Sequence, residues 1–157
     1  MIVTINTDAA YHSGFKIGGY AFWIVCNDGR FSHTGILKSK VNNATEAEFK
    51  CIINAIHVLF NLKFKNVTKV IINTDSLNVI HLIQNKKEEI KKYRLTHCLT
   101  YVRKLEKMLT ANKFDKKNIE LRHVKAHVEI KDKRSWANDW CDKKAKESMW
   151  NVINNSK

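Results

Sequence analysis

At 157 residues the chain is one domain's worth, long enough to bury a contiguous core without disulfides or structural metal. Its 44% hydrophobic and 27% charged residues are ordinary for a globular protein and exclude disordered and fibrous classes. Twenty-eight Lys and Arg against fifteen Asp and Glu leave a net charge of +13, which favours a polyanionic partner such as nucleic acid but does not name a chemistry.

Met1 to Thr7 carries Ile2, Val3, Thr4 and Ile5, the pattern of a strand buried on both faces, and is expected to end at Asp8. Gly18 to Cys26 alternates Tyr20, Phe22 and Ile24 with Ala21, Trp23 and Val25, a second strand running into the turn Asn27-Asp28-Gly29. Arg30 to Lys38 returns as the third. Asn42 to Glu48 then holds two overlapping capping patterns, Asn43 with Glu46 and Thr45 with Glu48. They precede Phe49, Ile52, Ile53, Ile56 and Phe60 at helical spacing. Lys69 to Thr74 is a short apolar strand that stops at Asp75-Ser76, and Val79, Ile80, Leu82 and Ile83 predict a helix after it. Glu88 to Thr110 places Leu95, Cys98, Leu99, Val102, Leu105 and Leu109 on one stripe of a single long helix with a basic outer face. Ile119, Leu121 and His123 alternate with Glu120, Arg122 and Val124 in a last strand. A polar loop from Ala126 to Arg134 leads to a helix from about Trp136 to Met149. Hairpin-linked strands followed by helix, strand, helices, strand and helix make an α/β mixed sheet with helices on both faces. One domain over 1–150 is expected, with a tail over 151–157.

Ligands of such sheets gather at the carboxyl ends of strands, where Asp8 and Asp75 both fall. Taken singly, Asp75 reads as an N-cap, Glu46 as half of a capping box and Asp142 as part of a solvated helix face. Asp8 is harder to dismiss, because an acid ending a buried strand needs a partner, a proton or a metal. Both strand ends open on one edge if the first and fourth strands run parallel, and the capped end of the first helix can lie beside them. Carboxylates converging there repel one another, and hard divalent cations with oxygen ligands, Mg²⁺ above all, relieve the repulsion. On a basic protein this suggests metal-assisted phosphodiester chemistry. Of the two acids in the last helix, Asp142 borders the stripe Cys141, Ala145 and Met149 that should pack on the sheet. Asp139 has Lys143 four residues on, the spacing of an exposed ion pair.

The same residues carry a family resemblance. Over essentially its whole length the chain resembles type 1 ribonuclease H: Ile5-Asn6-Thr7-Asp8-Ala9-Ala10 is similar to its first motif and Gly18-Gly19-Tyr20 to its second-strand glycines. Asn42-Asn43-Ala44-Thr45-Glu46 resembles its paired asparagines and helix glutamate, and Ile72-Asn73-Thr74-Asp75-Ser76 its TDS motif. Val124-Lys125-Ala126-His127 and Asn138-Asp139-Trp140-Cys141-Asp142 resemble its last two blocks. Ala9 and Ala126 stand where the family commonly has glycine, and Leu77 where a polar residue is frequent. The resemblance implies a ribonuclease H-like fold with three antiparallel strands and two parallel ones. It implies metal ligands at Asp8, Glu46, Asp75 and Asp142 for two Mg²⁺ ions, with Mn²⁺ as substitute, and a mobile histidine at His127. It also implies minor-groove contacts from Asn42 and Asn43, to which Asn138 is added as a nucleic-acid contact. The activity implied is endonucleolytic cleavage of the RNA strand of an RNA/DNA hybrid to 5′-phosphate and 3′-hydroxyl products. The alternatives are a non-catalytic binding module of the same fold and a DNA-cutting relative of the resolvase or integrase kind.

The remaining patterns are plainer. His123 and His127 have the spacing of half a zinc site but no CxxC precedes them. Cys26, Cys51, Cys98 and Cys141 are scattered, read as small core residues in a reducing compartment. The run from Lys86 to Lys92 is by default a solvated face, yet Lys91 and Lys92 with Arg94 can track a phosphate backbone. No apolar run approaches the roughly 20 residues of a bilayer span, and Asn6 and Asp8 interrupt any signal peptide, so a cytoplasmic protein is expected. A monomer without an organic cofactor is expected as well.

Overall fold

The computed structural model describes residues 1–124 and 133–155. Strands β1 (Ile2–His12), β2 (Ile17–Cys26) and β3 (Gly29–Ile36) form an antiparallel meander, while β4 (Lys69–Thr74) and β5 (Ile119–His123) add in parallel on the other side of β1. The resulting order is β3-β2-β1-β4-β5, the expected five-stranded mixed sheet. Helices α1 (Ala44–Asn61), α2 (Leu77–Ile83), α3 (Lys87–Lys92) and α4 (Leu99–Ala111) pack on one face, and α5 (Lys133–Asn155) crosses the other.

Strand alternation divides the core between these faces. Val3, Ile5, Phe22 and Ile24 enter the larger core with Phe49, Ile52 and Ile56 of α1 and Leu105 of α4. Ala10 and Ala21 face a smaller cluster made by Cys141, Ala145, Met149 and Ile153 of α5. The two glycines of β2 face close neighbours on opposite sides, and only Gly19, which faces backbone and not the movable end of a side chain, is required by the approach. A Cβ at Gly18 would meet Leu37 Cδ1 at 2.7 Å, and one at Gly19 would collide with the Ala145 carbonyl oxygen and lie 2.9 Å from Met149 N. The four cysteines are free thiols, and Cys51, Cys98 and Cys141 are buried, as small core residues should be. Among the described residues no helix is long and apolar enough to cross a membrane.

Three sequence expectations are corrected. The first strand does not end at Asp8: Ala9 to His12 continue in antiparallel register opposite Tyr20 to Ile17, a pairing that a search for apolar runs does not detect. The single helix expected over Glu88 to Thr110 is broken. Arg94 takes a left-handed φ of 55°, the Leu95 N–H donates to the Ile90 carbonyl at 2.8 Å, and a 3-10 turn at Thr96–Cys98 precedes α4. Ile90, Leu95, Cys98, Val102 and Leu105 all reach the same core across the break, so the stripe persists although the helix does not. Finally, α5 runs on through Asn155, and Ile153 is 1% exposed, so the residues following 150 begin as packed helix rather than as a tail.

The register also positions the site. Parallel pairing of β1 with β4 stops at Asn6↔Asn73, and Asp8 and Asp75 each lie two residues beyond it, at one level on the carboxyl edge. The tightness of the α5 crossing yields a prediction. Gly19→Ala should destabilise the fold by about 2–3 kcal/mol or more, because the added methyl meets α5 backbone that cannot rotate away. A urea midpoint within error of the parent would contradict that packing.

Candidate metal centre

One carboxylate oxygen from each of Asp8, Glu48 and Asp75 lies within 4.8 Å of the others. Asp8 is 2% and Glu48 8% exposed, whereas Asp75 is half-buried at the mouth. Three elements aim them. Asp8 belongs to β1, Asp75 follows β4, and Glu48 sits in the second turn of α1. The apolar face of α1, with Phe49, Ile52 and Ile56 in the core, sets this rotation, and the single Cys51 S–H lies between the carbonyl oxygens of Asp8 (3.3 Å) and Ala21 (3.4 Å) on neighbouring strands. Asp75 is not spent on a helix cap, since Ser76 caps α2 by accepting from the Val79 N–H.

The Ala9 N–H donates to both Asp8 Oδ1 (2.9 Å) and Glu48 Oε1 (3.1 Å), tying the two acids to one backbone group. Their other oxygens, Asp8 Oδ2 and Glu48 Oε2, are buried and accept from no N–H or hydroxyl donor among the described residues. Burial first, then the charge of Asp75, push the Asp8 carboxyl up to about 8, with Asp142 adding to the rise and Glu48 opposing it through a shared hydrogen bond. Glu48 is raised well above the usual carboxylate range by burial and by the charges of Asp8 and Asp75. A hard, oxygen-seeking divalent cation fits this donor set: it would meet the two buried oxygens and replace the protons that metal-free acids must hold.

Glu48 takes the place that the sequence reading gave to Glu46. The two lie roughly 200° apart around a helix with 3.6 residues per turn. Asn43 caps α1 by accepting from the Glu46 N–H at 2.8 Å, and of the two acids that follow it is Glu48 that meets Asp8 and Asp75. Glu46 is instead held by the Tyr101 hydroxyl (2.7 Å), Lys50 (3.1 Å) and Asn42 (3.3 Å). Burial resists its ionisation, but the hydrogen bonds from Tyr101 and Lys50 outweigh that and hold its carboxyl below the usual range. A sequence signal for Glu48 existed: it is an acid on the stripe of Cys51, Ile52, Ala55 and Leu59, all at most 2% exposed in the structure.

The other candidates divide. Asp142 is half-buried on α5, paired with Lys146 at 3.1 Å, and close enough to raise the Asp8 carboxyl, so it flanks the three acids. Asn42 is exposed, while Asn43 uses its side chain on the cap and on His97 Nε2 at 2.8 Å. Asn138 is 3% exposed, which corrects its reading as a nucleic-acid contact: α5 buries it against the sheet. Lys91, Lys92 and Arg94 are exposed at the end of α3. His127 lies outside the described residues.

Comparison with known proteins bears on this arrangement. The RNase H family model matches residues 1–149. The chain belongs to the RNase H family. Among solved structures, the N-terminal RNase H domain of rv2228c from Mycobacterium tuberculosis is 15% identical, covers 99% of both chains and has a TM-score of 0.68. LC11-RNase H1, isolated from compost by a metagenomic approach, is 16% identical over 96% of this chain and 97% of its own, with a TM-score of 0.66. The same protein in complex with RNA/DNA hybrid gives 15% identity over 96% and 99% of the two chains, with a TM-score of 0.63. Identities this low speak for the fold alone. A search of curated proteins found no match.

The acidic cluster makes metal-free RNase H sensitive to pH in a definite direction. Asp8 keeps its proton in the folded state up to about 8, whereas the unfolded chain releases it near 3.8. Between those values the native state binds more protons than the unfolded one, so stability falls as pH rises. Asp8→Asn, which carries no proton to lose, should raise the stability of the metal-free protein at pH 7 by on the order of 2–4 kcal/mol and flatten its pH dependence. Saturating Mg²⁺ should raise the melting temperature of the parent and not that of the variant. Thermal melts from pH 4 to 8 in EDTA and in Mg²⁺ check both, and an Asp8→Asn protein no more stable than its parent would refute the assignment.

Proposed function

We propose that this RNase H is a divalent-metal-dependent endonuclease that hydrolyses the RNA strand of RNA/DNA hybrids, leaving 5′-phosphate and 3′-hydroxyl ends. The observation that carries the reading is the meeting of Asp8, Glu48 and Asp75, with two buried oxygens that no N–H or hydroxyl donor among the described residues meets, on a chain of net charge +13. These three acids with Asp142 would hold Mg²⁺, or Mn²⁺ in its place. When bound, such ions supply an activated water and offset charge on the leaving oxygen.

The chain's own residues orient the substrate. The Ala9 N–H fixes Asp8 and Glu48 against one another before any ion arrives. Asn42, exposed just ahead of α1, would meet the wide minor groove where 2′-hydroxyls distinguish a strand of RNA. Lys91, Lys92 and Arg94 offer charge to the backbone without reading sequence. The complex of LC11-RNase H1 with RNA/DNA hybrid, a protein of the same fold, supports the choice of substrate. His127, by the family resemblance, would move a proton or assist product release.

Labelled RNA/DNA hybrid should be cut in Mg²⁺ or Mn²⁺ and left intact in EDTA, while duplex DNA of the same sequence survives. Cleavage in EDTA, or none on hybrid with either metal, would overturn the proposal. Neutralising Lys91, Lys92 and Arg94 together should weaken hybrid binding evenly across sequences. It should also flatten the dependence of log K on log salt by up to ~0.9 per lost contact. An unchanged slope in binding titrations would return this run to an ordinary solvated surface.

A further inference from the structure

We infer that Glu46 is a positioning residue of the substrate-binding surface, which holds Asn42, Lys50 and Tyr101 in fixed relation beside the metal centre and binds no metal itself. The inference rests on the hybrid-cleaving reading for what that surface contacts.

Glu46 is 4% exposed, and both its oxygens are occupied. Oε1 accepts from the Tyr101 hydroxyl at 2.7 Å and pairs with Lys50 Nζ at 3.1 Å, and Oε2 accepts from Asn42 Nδ2 at 3.3 Å. Glu48, by contrast, keeps one buried oxygen that no N–H or hydroxyl donor among the described residues meets. Two acids within one turn of α1 thus have opposite surroundings. One is saturated by donors and carries its charge stably, whereas the other needs a proton or a cation.

The donors on Glu46 come from three separate segments. Asn42 precedes α1, Lys50 is within it, and Tyr101 belongs to α4. Lys50 Nζ also donates to Ser39 Oγ at 3.0 Å and lies 5.5 Å from the centre of the Tyr101 ring, so its ammonium is aimed as well as neutralised. Ser39, Lys50 and Tyr101 line an open cavity of about 370 Å³ together with Lys38, His57 and Lys104. The lysines of this cavity, set beside the apolar Phe22, Ile53 and Val58, can meet the phosphodiester backbone of a strand. Two of its lining residues, Lys50 and Tyr101, are held by Glu46. Asn42, the exposed asparagine ahead of α1, is fixed by the same carboxylate. Without Glu46 these side chains keep their chemistry but lose their common geometry, a loss that falls on substrate binding rather than on the ion.

The test compares Glu46→Gln, Tyr101→Phe, their double variant and Glu48→Gln. Melting temperature is measured with and without Mg²⁺, hybrid affinity in EDTA, and kcat and KM in Mg²⁺. Glu46→Gln should keep the Mg²⁺-induced rise in melting temperature and a kcat within about threefold of the parent. Its KM and Kd for hybrid should rise about fivefold to tenfold, as loss of a charged hydrogen-bond centre implies. Tyr101→Phe should move KM the same way by a smaller factor, and the double variant should be little worse than Glu46→Gln, since the two share one hydrogen bond. Glu48→Gln should lose the Mg²⁺ response and cleavage. If Glu46→Gln loses the Mg²⁺ response, Glu46 is a ligand and the inference fails. If its KM falls, Glu46 only masks the charge of Lys50, and an unmoved KM makes the network purely structural; either result overturns the inference. Should Glu46→Gln not fold, an unchanged KM in Tyr101→Phe overturns it equally. A parent that neither binds nor cuts hybrid removes the functional reading itself, a result distinct from a parent that cuts while Glu46→Gln loses its metal.

Discussion

Asp8 and Glu48 bring like charges into a space that excludes water, and much of the molecule is arranged around keeping them there. Buried carboxylates this close cannot all ionise unaided, and their raised proton affinities express the cost. The fold supplies one shared N–H donor, from Ala9, and leaves two oxygens without an N–H or hydroxyl donor among the described residues. A site this unfavourable without a cation is preorganised for one: the repulsion is already present in the folded chain, and a bound ion relieves it.

That arrangement depends on rigid elements. Asp8 and Asp75 stand level because β1 and β4 are parallel and their pairing ends at Asn6↔Asn73. Glu48 reaches them because the apolar face of α1 packs on β1 and β2, with the Cys51 thiol seated between the carbonyls of Asp8 and Ala21. Asp142 flanks them because α5 lies close against the sheet, which the absent side chain at Gly19 permits. Each acid therefore comes from a different element, and the precision of the cluster is that of the packed core beneath it.

Around this local negative centre the protein is strongly positive, and the two scales of charge do different work. The net charge of +13 draws a polyanion from a distance and is screened by salt, whereas the acids act over a few ångströms in a low dielectric. Glu46 joins the two regimes. It lies two residues from Glu48 on α1 but is held by Lys50 and Tyr101, so it belongs electrostatically to the lysine-bearing cavity.

The sequence by itself determined the class of fold, the family resemblance and two of the three clustered acids. Strand alternation, hairpin turns and capping patterns are local, and Asp8 and Asp75 stand next to the strands that carry them. The rotation of α1 was not local in this sense. Asn43 with Glu46 and Thr45 with Glu48 are equally good capping patterns, and only the docking of Cys51 and Ile52 against the sheet turns residue 48, not 46, toward Asp8. The break at Arg94 was hidden for a related reason: the apolar stripe runs through it without interruption, and a left-handed residue that preserves the stripe leaves no trace in the periodicity. Burial of Asn138 likewise followed from how closely α5 approaches the sheet. Composition and spacing specify which faces are apolar. Which polar residue at the margin of a face turns inward is decided by the angle at which whole elements pack, and that angle is a property of the assembled core.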